Sequence, residues 1–293
     1  MAVFDTPRPI SVTIELPFGA LHLIATRRSD TVVVVNPTDP SRKADVEAAD
    51  RTRVDLAGDA LVVRAPKTGG LGNYIGLAKP GSVDMTIELP EDSRVEISAG
   101  FADVRTDGPL ADTRVRSGAG DVRLDETSAL EVIAGAGTVT VGRATANTEI
   151  TAAGDIQIGT TEGDAEIKNL NGKTWVGEVS GRLRVKSANG DIAVDRALSD
   201  VAVRTANGNI HIGEVVRGST TLVSASGGLE IGIGHGTAAW VDARTRFGRV
   251  HNALEVAGGP DPSRDTVEVR ARTSFGDISV NRSRTSSNQG DEE

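Results

Sequence analysis

A small residue recurs at a near-fixed interval through the middle and later parts of this chain. It stands at Ala102, Gly120, Gly137, Gly154, Gly172, Gly190, Gly208, Gly228, Gly248 and Gly276, with spacings of 18, 17, 17, 18, 18, 18, 20, 20 and 28 residues. Such self-similarity constrains a fold more than any local propensity, because every unit must meet its neighbours in the same way. Behind most openers comes a short alternating segment, as in Asp121-Val122-Arg123-Leu124, Asp155-Ile156-Gln157-Ile158, Asp191-Ile192-Ala193-Val194, Asn209-Ile210-His211-Ile212 and Asp277-Ile278-Ser279-Val280. Apolar residues at every second position lie on one face of a strand. A second alternating segment follows about nine residues later, as in Leu183-Arg184-Val185, Val201-Ala202-Val203 and Val267-Glu268-Val269.

The repeating unit is therefore strand, turn, strand, turn. It is too short to stand alone: ordering it costs roughly 1–2 kcal/mol per residue, more than a handful of buried aliphatic side chains return at about 1.5–3 kcal/mol each. Neighbouring units must supply backbone hydrogen bonds and cover the apolar face, which is the physics of a solenoid. A hairpin meander would use Asn-Gly pairs as turns. The pairs Asn171-Gly172, Asn189-Gly190 and Asn207-Gly208 instead recur one period apart, as a ladder down one edge of parallel, in-register coils requires. The expected fold is all-β: a single-chain, parallel β-helix-like solenoid of about 18-residue coils with an irregular β cap at its N-terminal side. At about 4.8 Å per strand, nine or ten coils give a rod roughly 45 Å long. Small inward residues such as Ala134, Ala152, Ser187 and Ala225 imply a slim interior.

The expected domains are 1–98 for the cap region, 99–282 for the solenoid and 283–293 for a disordered polar tail. In the cap, strands are expected over Ile10–Leu16, Ala20–Ala25, Thr31–Val35, Arg53–Leu56, Ala60–Arg64, Val83–Leu89 and Arg94–Ser98, with one short helix at Ala44–Ala49. Glycines crowd the segment Lys67–Pro80, which reads as a loop, and Ala257–Pro262 reads as a second loop that lengthens the last unit.

The bulk numbers bound the function. The 293 residues carry a net charge of −9 and only 3% aromatics. A chain of that charge opposes nucleic acid and anionic membranes unless it concentrates a basic face. The longest Lys/Arg runs, Arg27-Arg28 and Arg42-Lys43, provide none. Cysteine is absent, which removes disulfides, thiolate metal sites and cysteine nucleophiles. Met1–Pro9 lacks a basic segment leading into an apolar stretch, and no run approaches a membrane span, so the expected location is cytoplasmic, with surface association left open.

Candidate chemistry is thin. Asp103, Asp121, Asp155, Asp191 and Asp277, with Asn209, form a column just after the openers. Stacked carboxylates suit calcium or the acid/base pair of a glycan-cleaving β-helix; the plainer reading is a turn residue bonded to backbone. Asn171-Gly172-Lys173-Thr174 is not a phosphate loop, because position 167 is Ile rather than Gly. His22, His211, His235 and His251 lack partners at metal-ligand spacing, and no nucleophile elbow is present. No catalytic residue, metal ligand or cofactor is nominated. Asn171, Gly172, Asn189, Gly190, Asn207 and Gly208 are the structural turn ladder, and Trp175, outward by alternation, is a contact-surface candidate.

The strings Ala-Asn-Gly-Asp-Ile (188–192), Thr-Ala-Asn-Gly-Asn-Ile (205–210), Gly-Thr-Ala-Ala-Trp (236–240) and Arg-Thr-Ser-Phe-Gly-Asp-Ile (272–278) resemble a bacterial β-strand-repeat family of unknown function labelled "putative adhesin". Ala-Asp-Val-Glu-Ala-Ala (44–49) and Val-Asp-Met-Thr-Ile-Glu-Leu-Pro (83–90) resemble it too, so the likeness runs to about residue 282. The resemblance implies a β-helix-like fold and brings no catalytic residues. The expected function is a non-catalytic structural or interaction protein that binds a protein or glycan, or copies of itself through solenoid ends. The alternatives are a carbohydrate-active β-helix enzyme and a calcium-stabilised repeat scaffold.

Overall fold

The structure, a computed structural model, describes residues 1–67, 80–254 and 265–283. The expected glycine-rich loop (68–79), the Ala257–Pro262 loop and the polar tail from 284 onward lie outside the described residues. Among those described, the chain is all-β with a single short helix, Lys43–Asp50. It divides into two compact units, Met1–Gly172 and Lys173–Glu293.

In the first unit the parallel ladder starts earlier than the glycine period indicates. Ser11–Thr26 is one strand rather than the two expected from sequence. Its buried positions change parity between Leu16 and Leu21, so the strand turns a corner there and serves two sheets. Its first half lies parallel to Ala60–Arg64 and to Arg94–Ala99, its second half to Val83–Pro90 and to Ala102–Asp107. The period is hidden because residues 27–93 are inserted between this first coil and the next. That insertion adds the antiparallel cap: Ala2–Asp5 on Asp30–Pro37, Asp30–Pro37 on Val83–Pro90, and the hairpin Arg53–Ala57 with Ala60–Arg64. The helix is held by Asp45, fully buried, whose carboxylate accepts the N–H groups of Asp39 (3.2 Å) and Ser82 (3.0 Å) and pairs with Arg42 at 3.2 Å.

From Arg94 onward each coil gives one strand to each sheet. Ile97, Val115, Val132, Ile150 and Ile167 stack in register in one sheet, and Val122, Val139 and Ile156 in the other. All eight are nearly inaccessible. Burying one aliphatic side chain returns about 1.5–3 kcal/mol, and the in-register repeat supplies that gain at every coil.

The second unit repeats this construction. Val185, Val203 and Leu222 stack in one sheet, and Ile192, Ile210, Leu229 and Ile278 in the other. Two findings depart from the sequence reading. Ala225 is exposed rather than inward, because Ser224 takes the inward register opposite Thr205. More consequentially, the coils do not stack in chain order. Thr266–Phe275 lies between Gly218–Ser226 and Ala238–Phe247, and Ile278–Arg282 lies between Leu229–Ile233 and Val250–Asn252. The 28-residue spacing is thus no lengthened unit: the chain places the coil of residues 238–252 one position out, then returns to fill the gap. The returning coil is better suited to an interior position, since Val267, Val269 and Ala271 are buried, whereas the outer coil leaves Trp240 57%, Phe247 56% and Val250 45% exposed.

Candidate functional site

The corner between the two sheets gathers most of the polar residues singled out in the sequence. Asp103 Oδ1 accepts the backbone N–H of Asp121 (2.9 Å), and Asp121 Oδ1 accepts that of Thr138 (2.9 Å). In the second unit Asp191 Oδ1 accepts the N–H of Asn209 (2.8 Å), Asn209 Oδ1 that of Gly228 (2.8 Å), and Asp277 Oδ1 that of Arg249 (2.8 Å). Each side chain ties its own coil to the next. Asn209 fills the place with an amide oxygen, so the position needs an acceptor and not a charge. Two positions earlier in the turn, Asn207 Nδ2 donates to Asn189 Oδ1 at 3.0 Å, with Gly190 and Gly208 following at positive φ. Asn171-Gly172 occupies the same place in the last turn of the first unit, where Gly172 also has positive φ.

The acceptor role predicts a selective mutational response. Asn209→Asp keeps the oxygen facing the Gly228 amide and gives up only the Nδ2 donation to Asp191 Oδ1 (3.2 Å), costing about 0.5 kcal/mol, whereas Asn209→Ala loses both bonds and costs about 1–2 kcal/mol. Urea unfolding of the two variants separates them; equal losses would remove the acceptor role.

A surface cavity of about 340 Å³ lies in the first unit over the strands around His22, Thr86 and Arg105. The short side chain of Ala20 stands in register between Asp84 and Asp103, and Asp103 and Asp121 continue the acidic row. Beside it runs a row of Thr86, His22, Arg105 and Arg123. His22 Nε2 lies 2.6 Å from Asp107, which also takes a forked hydrogen bond from Arg105 at 3.0–3.2 Å. Those bonds, Arg105 first and His22 second, hold the Asp107 carboxyl below the usual range and raise Arg105. Asp84 accepts the Thr38 hydroxyl at 2.7 Å. The carboxylates here are engaged by amides, a hydroxyl or cations, and among the described residues no three His, Asp or Glu side chains are grouped to hold a metal ion.

Trp175 is 39% exposed on the other sheet of the second unit, in register with Ala193, and its indole N–H donates to Asp195 at 3.1 Å. Sequence reasoning missed a different surface. On the outer face of the sheet formed by Leu183–Asn189, Val201–Asn207, Gly218–Ser226, Thr266–Phe275 and Ala238–Phe247, one register row reads Lys186, Arg204, Val223, Arg272, Arg244. Lys186 and Arg204 are one period apart, so charge read along the chain shows no basic run while charge read along the period does.

A model of the Toastrack DUF4097 family matches residues 24–281. The chain belongs to that family. Among solved structures similar to this Toastrack chain is a "putative adhesin" from Bacteroides fragilis, 12% identical over 95% of each chain, with a TM-score of 0.39. Another is a "putative lipid binding protein" from Parabacteroides distasonis, 11% identical over 97% of this chain and 96% of that one, TM-score 0.34. A third is a "putative cell adhesion protein" from Clostridium sporogenes, 11% identical over 96% and 98%, TM-score 0.24. No curated protein matches the chain. No helix among the described residues is long and apolar enough to cross a membrane, which says nothing of strands.

Proposed function

We propose that this Toastrack chain is a non-catalytic interaction scaffold, whose outer sheet faces meet a protein or glycan partner. The observation that carries the reading is the corner column. Asp103, Asp121, Asp191 and Asp277 each hold an amide of the adjoining coil, and Asn209 does the same without an ionisable group. Residues whose place an amide can fill serve the stack and not a reaction. The faces between corners carry side chains that the fold does not need for its core, and those are free to vary with the partner. Trp175, beside the short Ala193, is one contact candidate on such a face.

The enzyme alternative rests on the cavity around His22, where Asp103 and Asp121 sit on neighbouring strands, the kind of close carboxylate pair that glycosidases use. The test combines binding with turnover. The whole chain, incubated with a panel of polysaccharides, retains one or more of them and releases no new reducing ends or shortened products. Product formation that disappears in Asp103→Asn or Asp121→Asn overturns the scaffold reading. The calcium alternative predicts a melting temperature that rises with calcium; the scaffold reading expects the same melting temperature in calcium and in chelator.

A further inference from the structure

A chain of net charge −9 does not spread its cations evenly. In the first unit, the strands facing outward from one sheet carry Glu96, Arg114, Arg116, Glu131, Glu149 and Lys168, tied together by pairs such as Arg114–Glu131 at 2.6 Å and Lys168–Glu149 at 3.2 Å. The equivalent strands of the second unit differ. Arg184, Lys186 and Arg204 point outward there, and among the described residues no ion pair engages them. Two strands further on Arg270 and Arg272, and on the third Arg244, face the same way, with Glu268 and Asp242 as their ion-pair partners among the described residues. Between the two cation groups runs Gly218–Ser226, whose outward residues are the short Ser219, Thr221 and Val223, with Ala202 beside Thr221.

We propose that this face binds a linear acidic polysaccharide, bearing carboxylates or sulfates, lying over the short side chains and held by the cations on either side. The inference rests on the scaffold reading and names a surface and a partner class for it. Three features select the ligand. Guanidinium forks match carboxylate and sulfate oxygens in pairs, which a lone ammonium does not, and five of the six cations are arginines. The central strand offers hydroxyls, Ser219 and Thr221, to a ligand that is itself rich in hydroxyls. Within each group the cations stand on adjacent strands about 4.8 Å apart, and Val223 separates Arg204 from Arg272, so a polymer crossing the central strand meets one pair of cations on each side of it.

The rival polyanions fit less well. Single-stranded nucleic acid binds on aromatics spread along its course; among the described residues the exposed rings of these strands are Trp240, on the outermost strand, and the stacked Phe247–Phe275 pair, which sits at the strand ends in register with Ser226 and not among the Lys186 and Arg204 strands. A lipid surface needs protruding apolar side chains as well as charge, and the middle of this face offers only Val223. The acidic remainder of the chain is no obstacle, because at physiological ionic strength charges more than about 8 Å away are largely screened.

The experiment measures binding of the whole chain to polygalacturonate and heparin fragments, with neutral dextran, single-stranded DNA and phosphatidylglycerol vesicles as comparisons. The expected result is retention of at least one acidic polysaccharide, affinity that falls steeply with salt, and no retention of dextran. Lys186→Glu/Arg204→Glu lowers that affinity at least tenfold, and Lys186→Gln/Arg204→Gln lowers it less, both with an unchanged circular dichroism spectrum. Undiminished binding by the charge-reversed variant, no binding by the natural chain, or tighter binding to DNA or vesicles overturns the assignment while leaving the scaffold reading in place. Release of cleaved polysaccharide overturns the scaffold reading itself.

Discussion

Gly208→Ala is expected to lower stability by about 3 kcal/mol or more, which for a unit of this size moves the melting temperature down by roughly 10 °C. The reason lies in both backbone conformation and neighbour distance. Gly208 has φ +142°, a region that side chains rarely enter, and holding a non-glycine residue there costs on the order of 1–3 kcal/mol. A methyl group at this position would also stand 2.1 Å from the carbonyl oxygen of Gly190, and that obstacle is backbone of the adjoining coil rather than a side chain that can swing away. Relief requires the two coils to part, which stretches the bond that joins them here, Gly190 N–H to the Asn207 carbonyl at 2.9 Å. Gly58 provides the comparison: it too has positive φ, at +64°, but nothing lies within 4 Å of its would-be methyl. Gly58→Ala therefore costs only about 1 kcal/mol. Thermal melts of the two variants decide the matter, and a Gly208→Ala protein as stable as Gly58→Ala would show that the coils are not stacked at this corner.

The second large effect concerns coil order. The natural chain has no cysteine, so introduced pairs report without interference. Thr221→Cys with Arg270→Cys places the two thiols on adjacent strands in register, within the span a disulfide bridges. Thr221→Cys with Asp242→Cys places them two strands apart, about 9.6 Å, because Arg270 stands between them in register. Under mild oxidation the first pair closes nearly completely within the monomer and the second stays reduced, as read by thiol titration and electrophoretic mobility. The reverse outcome would restore chain-order stacking. Removing residues from 265 onward provides a separate reading of the same feature: Ala238–Phe247 and Val250–Asn252 then lose the strands they pair with, so their amides lose hydrogen-exchange protection along with those of the deleted coil.

The glycine period and the alternating segments were enough to indicate an all-β, parallel, in-register solenoid, because both follow from the chemistry of a single repeating unit. Asn207 bonded to Asn189 shows how a dipeptide repeated at the period reads directly as a contact. Three things were less legible. The first coil is obscured because Ser11 meets its register partner, Arg94, 83 residues on, where Val95 meets Thr113 after 18, with an antiparallel cap of no period in between. Ala225 was misplaced because the 20-residue spacing leaves open where the extra residues fall, and alternation counted across them inverts the face. The order of the last two coils was hidden because both obey the same pattern; only their relative burial, Val269 and Ala271 against exposed Trp240 and Val250, distinguishes interior from outer position. At the level of sites, the carboxylate column was visible but its use was not. An acid/base pair does not account for the asparagine in that column, whereas an acceptor for the next coil's amide does. The row of Lys186 and Arg204 forms no run of like charge along the sequence, because the fold makes neighbours of residues 18 apart.

The returning strand also sets a condition on how the chain assembles during synthesis. Every earlier coil can settle against one already made, so growth can follow the ribosome. Residues 238–252 are the exception: among the described residues, the strands they pair with lie in Thr266–Arg282, which has not yet been translated when they emerge. A chain halted before residue 266 therefore holds these strands without their final partners, beside an open edge at Gly218–Ser226 and Leu229–Ile233 that the last coil must later occupy.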